Sequence, residues 1–403
     1  MGREKYPTAP PYKFLDGPSR HANPTRHWEF PRPGAILIRM DEHGLIADVK
    51  KIAVLRASAL GDLIFALPAL DALRSAYPGA QLIYLGRKWH AEFLPGRLPG
   101  AHRVIALPPP PTLELILQGK VMDPAAEADF LRGMREEELD LAIQMQGAGR
   151  TSNPFVQSLG ARVTAGMRGT DAPPLDRWLP YGYYQNEVAR LLEVASLVGA
   201  TPSASALQPV LNVLEGDLAE AGPWIDTANG PYVVLHPGST DPRRCWSPEK
   251  FAAVGDFCAG QGLAVMLVGA AYDSSRVDAV ARAMRSPVVN LCDQLSLSGL
   301  VGLLSRAALF VGNDSGPLHV ALAVGARAVG LFWVEYIVNS MPLGRSRFSP
   351  LIAWNRTCPI CGRYCEKPEI DSPSPGCAHE GSFIEEIQPE QVIAALDFKQ
   401  GAG

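Results

Sequence analysis

From Lys51 onward, short runs of apolar residues alternate with stretches whose apolar residues recur every three or four positions. The runs are typical of buried parallel strands, and they are KIAVLRA (51–57), QLIYLG (81–86), RVIAL (103–107), DLAIQMQ (140–146) and ARVTAGM (161–167). Residues 62–76 place a row of leucines on one face of a helix, and helices are also predicted over 123–138 and 186–200. This alternation predicts a doubly wound α/β domain over residues 51–215.

The alternation restarts after residues 201–230, which contain TPSASALQP and DTANGP and are predicted to include the interdomain linker. The second set of apolar runs is YVVLHPGS (232–239), LAVMLVG (263–269), PVVNLC (287–292), ALFVGND (308–314) and RAVGLFW (327–333). Helical stretches lie between these runs. We therefore predict a second doubly wound domain over residues 216–403. The predicted fold class is α/β, with two Rossmann-like domains facing each other across a crevice.

The first fifty residues do not share this pattern. Residues 1–34 are rich in Pro, Arg, His and Tyr and show no period, which is typical of an irregular arm. AILIRMDEHGLIADVK (35–50) contains two short apolar segments around DEHG, which predicts a hairpin. We therefore predict an N-terminal arm and hairpin over residues 1–50.

Composition narrows the possible partners. The chain is 47% hydrophobic and 19% charged, as in ordinary globular proteins, and its formal net charge of −4 gives no reason to expect a nucleic-acid partner. No apolar run approaches the roughly 18 residues of a membrane-spanning helix, and the N-terminus lacks the apolar core of a secretory signal. A cytoplasmic location is therefore expected.

Polar residues follow the predicted strands of the second domain, where ligands bind in open parallel sheets. The run 308–314 ends at Asp314, and Ser315 and Gly316 follow it in a predicted turn. Gly316 permits close approach of a ligand, and the start of the following helix suits a phosphate. A simple helix cap explains Asp314 or Ser315 equally well. His319, one turn into the helix, is predicted to be a packing residue.

Two further strand ends point to the same kind of ligand. Ser239 and Thr240 offer hydroxyl donors, and Arg244 offers a guanidinium that can grip a phosphate, unless this is a solvated basic loop. Asp273 follows the next strand, where an acidic residue can bind ribose hydroxyls or cap a helix. Neither G-x-G-x-x-G after a strand nor G-x-x-x-x-G-K-[ST] is present, which disfavours dehydrogenases and P-loop enzymes. Together, the polar residues at these three strand ends predict a binding site for a nucleotide diphosphate.

Asp62 lies between the first strand and the first helix, where a phosphate loop would carry glycines. A carboxylate at a helix N-terminus is stabilised by the helix dipole, so Asp62 could be a cap. It also lies across the crevice from the predicted phosphate site, so this loop need not hold phosphate.

Three segments carry a resemblance to glycosyltransferase family 9, the ADP-heptose lipopolysaccharide heptosyltransferases. They are LRASALGDLIFALPALDALRSAYP (55–78), LHPGSTDPRRCWSPEKF (235–251) and GNDSGPLHVALAVGARAVGLF (312–332). The resemblance implies a GT-B architecture, with the acceptor on the first domain and the nucleotide sugar on the second. It implies inverting transfer of a heptose from an ADP donor to a hydroxyl of a glycolipid or other glycan, and hence peripheral contact with the inner membrane.

The resemblance also implies roles for single residues. Asp62 matches the general base, and Asp273 matches the acidic ribose contact. The remaining matches are the phosphate loop and the donor-binding turn, namely Ser239, Thr240, Arg244, Asp314, Ser315 and Gly316. The family usually has Lys where Arg244 stands, which leaves open a same-fold transferase that uses another nucleotide sugar and a protein or natural-product acceptor. A scaffold with a disabled site is a third hypothesis, disfavoured by the presence of Asp62 and Asp314.

Four cysteines cluster in the tail 355–380, namely Cys358, Cys361, Cys365 and Cys377. In a cytoplasmic chain such clustering indicates metal binding more than disulfides, and four thiolates suit tetrahedral zinc or iron. The alternative is a set of thiols that are free or paired in disulfides. The inverting reaction needs no cofactor if protein groups stabilise the leaving diphosphate, so any metal is expected to be structural.

Overall fold

The computed structural model describes residues 44–98, 101–108, 123–201, 207–365 and 379–396. The predicted N-terminal arm, the first strand of the predicted hairpin and Cys377 lie outside these residues. The second strand of the hairpin is not formed, because residues 44–50 contain a turn with Asp48 in the left-handed region at φ 56°. That conformation interrupts the extended backbone that a strand requires.

The first sheet has six parallel strands in the order β3-β2-β1-β4-β5-β6. They are β1 (Lys51–Leu55), β2 (Gln81–Gly86), β3 (Ala101–Ala106), β4 (Leu141–Gln144), β5 (Val163–Arg168) and β6 (Arg177–Pro180). The helices of this part are α1 (Leu60–Ala76), α2 (Lys88–Phe93), α3 (Pro124–Glu136), α4 (Ser152–Ser158) and α5 (Glu187–Ser196). Four of the five predicted strand runs cover buried β strands along their length, as parallel sheets covered on both faces require.

The second sheet repeats this topology, with the order β12-β11-β10-β7-β8-β9 and parallel pairing throughout. Its strands are β7 (Tyr232–His236), β8 (Ala264–Leu267), β9 (Val289–Asn290), β10 (Leu309–Asn313), β11 (Ala328–Trp333) and β12 (Phe348–Ala353). Its helices are α6 (Glu215–Ala228), α7 (Pro248–Gly260), α8 (Ser274–Ala283), α9 (Leu297–Arg306), α10 (Gly316–Ala323), α11 (Ile337–Ser340) and α12 (Pro389–Ala395). The predicted α/β class with two doubly wound sheets is confirmed.

The stretch predicted as linker contains a helix that the sequence pattern did not reveal. α6 occupies Glu215–Ala228, with Pro223 in its interior and Asn229 as a left-handed cap at φ 47°. Proline usually breaks helices, and Asn-Gly usually marks a turn, so both residues argued against a helix here. α6 packs against α9 of the second sheet. The boundary between residues 215 and 216 stays a prediction.

Each sheet reverses its strand order beside its first strand, between β1 and β4 in one sheet and between β7 and β10 in the other. Loops that leave a sheet at such a point diverge and open a crevice. The loop before α1 and the loop before α10 lie at these two points, and α1 packs against α10. Within the described residues, no helix combines the length and the apolar character needed to cross a bilayer.

Candidate active site

A cavity of about 640 Å³ lies where these loops meet. Residues from both sheets line it, and all the residues predicted to bind the donor or act as base are among them: Asp62, Ser239, Thr240, Arg244, Asp273, Asp314, Ser315 and Gly316. The structure therefore brings together side chains that are up to 254 positions apart along the chain (62 to 316). Their roles in binding and catalysis remain predictions.

Asp62 is the third residue of α1 and serves the helix as a cap. Its Oδ2 accepts a hydrogen bond from the Ala59 N–H at 3.2 Å, and its Oδ1 lies 3.0 Å from Nη2 of Arg56. The side chain nevertheless keeps 38% of its surface exposed, and it lines the cavity. A carboxylate held from one side and open on the other can cap the helix and also accept a proton from a bound hydroxyl.

The loop after β7 supplies donors on the opposite side of the cavity. Arg244 ends a 3-10 turn over Pro242–Arg244, stacks on the Tyr336 ring at 4.4 Å and donates from Nη2 to Thr240 Oγ1 at 3.3 Å. Among the described residues, Arg244 Nε and Ser239 Oγ are buried atoms that make no hydrogen bond. Buried donors without acceptors are uncommon in native proteins, so these two atoms indicate a place for ligand oxygens.

The carboxylate of Asp314 lies within a network of hydrogen bonds at the cavity wall. It is buried, and its oxygens accept hydrogen bonds from Arg244 Nη1 at 3.2 Å, Ser340 Oγ at 2.9 Å and His319 Nε2 at 3.2 Å. Burial alone would raise the pKa of Asp314, but the His319 hydrogen bond and the Arg244 charge outweigh it and hold the pKa below its usual range. Asp314 therefore holds Arg244 in place, and its part in the donor-binding turn stays a prediction.

The same contact revises the interpretation of His319. Besides its hydrogen bond to Asp314, its ring packs edge-on against Phe65 of α1 with centroids 4.6 Å apart. The prediction of a packing residue agrees with this contact but omitted the hydrogen bond. A histidine held by a buried carboxylate on one side and an aromatic ring on the other is fixed in orientation at the junction of α1 and α10.

Gly316 is the first residue of α10, and its small size permits a close contact with α1. A Cβ placed on Gly316 would lie 3.1 Å from Leu60 side-chain atoms at the start of α1. The close neighbour in the structure is thus the first helix of the first domain, and the approach of a ligand to Gly316 stays a prediction. Gly316 permits the two helix starts that frame the cavity to approach each other.

His236, the last residue of β7, is a site residue that sequence reasoning missed. It is buried, with Nδ1 3.2 Å from Ser315 Oγ and Nε2 3.7 Å from an oxygen of Asp273. Asp273 is itself buried and accepts from the Ala270 N–H at 3.0 Å, so its predicted contact with ribose requires its remaining lone pairs. The available signal was the position of His236 at a strand end before Pro-Gly-Ser.

The cysteine cluster takes a form that differs from the prediction. Ligand atoms of Cys358, Cys361 and His379 all lie within 4.8 Å of one another. Cys365 is not in this group, and its Sγ instead lies 3.4 Å from the Arg363 carbonyl oxygen, in the core of the second sheet. Cys377 lies outside the described residues. Two thiols and an imidazole form a donor set that suits zinc.

Comparisons with known proteins agree with this architecture. In Escherichia coli strain K12, lipopolysaccharide heptosyltransferase 3 is 35% identical over 121 residues, which is 27% of this chain and 35% of that relative. In Pseudomonas aeruginosa, lipopolysaccharide heptosyltransferase 1 is 26% identical over 296 residues, covering 70% and 78% of the two chains. The chain thus spans about a third of the first relative and more than three quarters of the second.

Solved structures extend the likeness to the fold. The structure of E. coli ADP-heptose LPS heptosyltransferase II has a TM-score of 0.65 at 20% identity, over 86% of this chain and 97% of that one. A glycosyltransferase family 9 structure from Veillonella parvula has the same score over 75% and 86%. The family model described as Glycosyltransferase family 9 (heptosyltransferase) matches residues 128–350, more than half of the chain. The chain therefore belongs to glycosyltransferase family 9, the heptosyltransferase family.

Proposed function

We propose that this protein is an inverting glycosyltransferase that moves a heptose from an ADP-heptose donor to a hydroxyl of the lipopolysaccharide core. The observation that carries the proposal is the cavity itself, with an exposed carboxylate, Asp62, on one side and the buried unsatisfied donors of Ser239 and Arg244 on the other. The relatives named above support the sugar and the acceptor through their names. No observation favours the alternative donor and acceptor classes.

The mechanism follows from this division of the cavity. Asp62 takes the proton of the acceptor hydroxyl as that oxygen attacks the anomeric carbon, and the bond from this carbon to the diphosphate breaks on the opposite face. Inversion of configuration is the consequence of one displacement. Arg244, held by Asp314, and the hydroxyls of Ser239 and Thr240 stabilise the negative charge of the departing ADP. A lipid-linked acceptor would bring the protein to the inner-membrane surface.

A direct assay tests the proposal. The purified protein is incubated with ADP-heptose and a heptose-free core acceptor, ADP release is followed, and the anomeric configuration of the product is read by NMR. We expect transfer with inversion, and we expect Asp62→Asn to lose at least about 100-fold in kcat while it still binds ADP. Turnover of a UDP-sugar but not of ADP-heptose, or retention of configuration, would contradict the proposal.

We also propose that Cys358, Cys361 and His379 hold a structural metal ion, with zinc as the ion that matches their chemistry. The backbone N–H of Ile360 lies 3.4 Å from Cys358 Sγ and can donate to a metal-bound thiolate. Metal analysis of the purified protein should find one ion per chain, lost in Cys361→Ser and kept in the control Cys292→Ser. Full occupancy in Cys361→Ser would refute this ligand set.

A further inference from the structure

Arg56 is a buried guanidinium directly beneath the base side of the cavity. It follows β1 and is only 4% exposed. Its Nη2 lies 3.0 Å from Asp62 Oδ1, its Nε donates to the Asp62 carbonyl oxygen at 3.3 Å, and its Nη1 donates to the Met145 carbonyl oxygen. One guanidinium thus holds both the carboxylate and the backbone of Asp62 and ties them to the end of β4.

Glu187, at the start of α5, is the second carboxylate on Arg56. Its Oε2 lies 3.4 Å from Arg56 Nη2, and its Oε1 is paired with the buried Arg190. Both oxygens of Glu187 therefore face guanidinium groups. Asp62, by contrast, has one oxygen on Arg56 and the other on a single backbone N–H, and it is the more exposed of the two carboxylates. Asp62 is the one of the pair that can accept a proton from a substrate.

The charge of Arg56 is retained despite its burial. Burial lowers the pKa of Arg56, but the nearby charges of Asp62 and Glu187 outweigh this effect, and the pKa is raised above its usual value. Arg56 is therefore a permanent cation shared between two carboxylates. A cation favours the ionised form of a neighbouring carboxylate, and a second carboxylate on the same cation weakens that effect.

Other titratable and charged side chains lie beside this group or line the cavity. Tyr84 donates to the Arg56 carbonyl oxygen, Arg87 to the Ala57 carbonyl oxygen, and Arg190 pairs with Glu187. Among the described residues, the others that line the cavity are Tyr181 and Tyr183 from the first domain, and His236, Arg244, Tyr272, Asp273, Asp314, His319 and Tyr336 from the second. Within the second-domain set, Asp314 is already bonded to both Arg244 and His319. Among the described residues, the charge paired directly with Asp62 is thus that of Arg56, which Glu187 shares.

We propose that Arg56 and Glu187 are positioning residues that act through Asp62: Arg56 fixes the orientation of the base and places a positive charge beside it, and Glu187 limits the charge that Arg56 exerts on it. The inference rests on the proposed function, in which Asp62 is the general base. It predicts that the two residues shift the pH dependence of the reaction in opposite directions. A merely structural role would lower activity without moving the profile in either direction.

The test measures kcat against pH for ADP-heptose and a core acceptor. Arg56→Met should move the acid limb of the profile to higher pH and lower kcat by about 100-fold, since a misplaced catalytic group costs roughly that factor. Glu187→Gln should move the acid limb to lower pH, because the full charge of Arg56 then acts on Asp62. Arg56→Lys should return the acid limb of the pH profile to its wild-type position but recover only part of kcat. The ammonium group of lysine keeps the charge but cannot reproduce the planar set of guanidinium donors.

Controls separate this inference from the proposed function. The KM for ADP-heptose and the affinity for ADP should stay within about twofold in all three variants, since the predicted donor contacts lie across the cavity. Arg103→Met, which removes an arginine paired with Glu137, should leave the profile unchanged. If Arg56→Met does not fold, the lysine and glutamine variants carry the test.

The outcomes are distinct. Opposite shifts of the acid limb in Arg56→Met and Glu187→Gln support the inference. If the wild type turns over the donor but the pH profiles of both variants are unchanged, this inference alone is overturned. Shifts of both profiles in the same direction would overturn it as well. Absence of any transfer by the wild type would overturn the proposed function and this inference with it.

Discussion

Arg97 and Asp217 form an ion pair in which each side chain is only 2% exposed. The pair is bidentate, and Arg97 also donates to the Phe93 carbonyl oxygen at 2.8 Å and to Ser298 Oγ at 2.8 Å. Arg97 follows α2 of the first sheet, whereas Asp217 is on α6 and Ser298 on α9, which pack on each other beside the second sheet. Arg97 therefore joins elements from both halves of the molecule.

Replacing Arg97 by Met should strongly destabilise the protein. Asp217 would remain buried with the Leu214 N–H, 2.9 Å away, as its main hydrogen-bond donor. Removal of one partner of a buried pair typically costs about 3–5 kcal/mol, because the other charge is left without compensation. The double variant Arg97→Met/Asp217→Leu should recover most of this loss, since apolar residues of similar volume often replace a buried pair at little cost.

Urea unfolding followed by circular dichroism measures the loss of stability in Arg97→Met and its recovery in the double variant. The double-mutant cycle isolates the coupling energy between the two side chains. Arg132→Met is the matched control. The ion pair between Arg132 and Asp129 is exposed, so its removal should hardly change the urea midpoint of unfolding. A loss below about 1 kcal/mol in Arg97→Met, or a double variant as unstable as the sum of the single variants, would refute the reasoning.

Three further predictions concern the cavity. The pKa of Asp314 is held below its usual range, so the free energy of unfolding should fall as the pH drops below about 4. Asp314→Asn should make this fall shallower in urea midpoints measured from pH 7 to pH 3, and an unchanged dependence on pH would contradict the prediction. His236→Phe removes the hydrogen bond between His236 and Ser315. Calorimetry should show ADP binding weakened about tenfold, because the loss of one hydrogen bond costs roughly that factor. An unchanged affinity would mean that His236 has no role in ADP binding. Gly316→Ala places a methyl group 3.1 Å from Leu60 and should cost about 1–3 kcal/mol of stability, partly recovered by adding Leu60→Ala; no loss, or no recovery, would contradict the close contact.

Periodicity was a sound guide where buried apolar residues determine the structure. The strands next to the switch points, such as β1 and β10, are buried along nearly their whole length, and their sequences are correspondingly apolar. The edge strands β6 and β12 were missed because they are short or partly exposed and carry Pro180 or Pro350, residues that edge strands tolerate and that sequence patterns associate with turns.

The candidate site was foreseen as a set of residues but not as a network. Strand ends of a parallel sheet meet at one edge, so residues that follow strands could be predicted to lie together. The pairing of Asp314 with Ser340, or of Arg56 with Glu187, joins residues 26 and 131 positions apart in the chain. No local pattern marks such pairs, because each depends on how α5 and α11 pack against the rest of the molecule.

The two sides of the cavity are also joined directly at one edge. Asn186, the cap of α5, donates from Nδ2 to the Met341 carbonyl oxygen at 3.1 Å. Asn339 of α11 donates in the other direction, to the Gln185 carbonyl oxygen at 3.4 Å. These reciprocal bonds connect the loop before α5, in the first domain, with the end of α11, in the second.

The chain neighbours of these asparagines belong to the two hydrogen-bond networks of the cavity. Glu187 follows Asn186 and contacts Arg56, whereas Ser340 follows Asn339 and donates to Asp314. The Asp62 side and the Arg244 side of the cavity are therefore linked here through two short chain segments that are hydrogen-bonded to each other. Each such bond contributes only about 1 kcal/mol, so this edge is a weaker link between the two halves than the buried pair of Arg97 and Asp217.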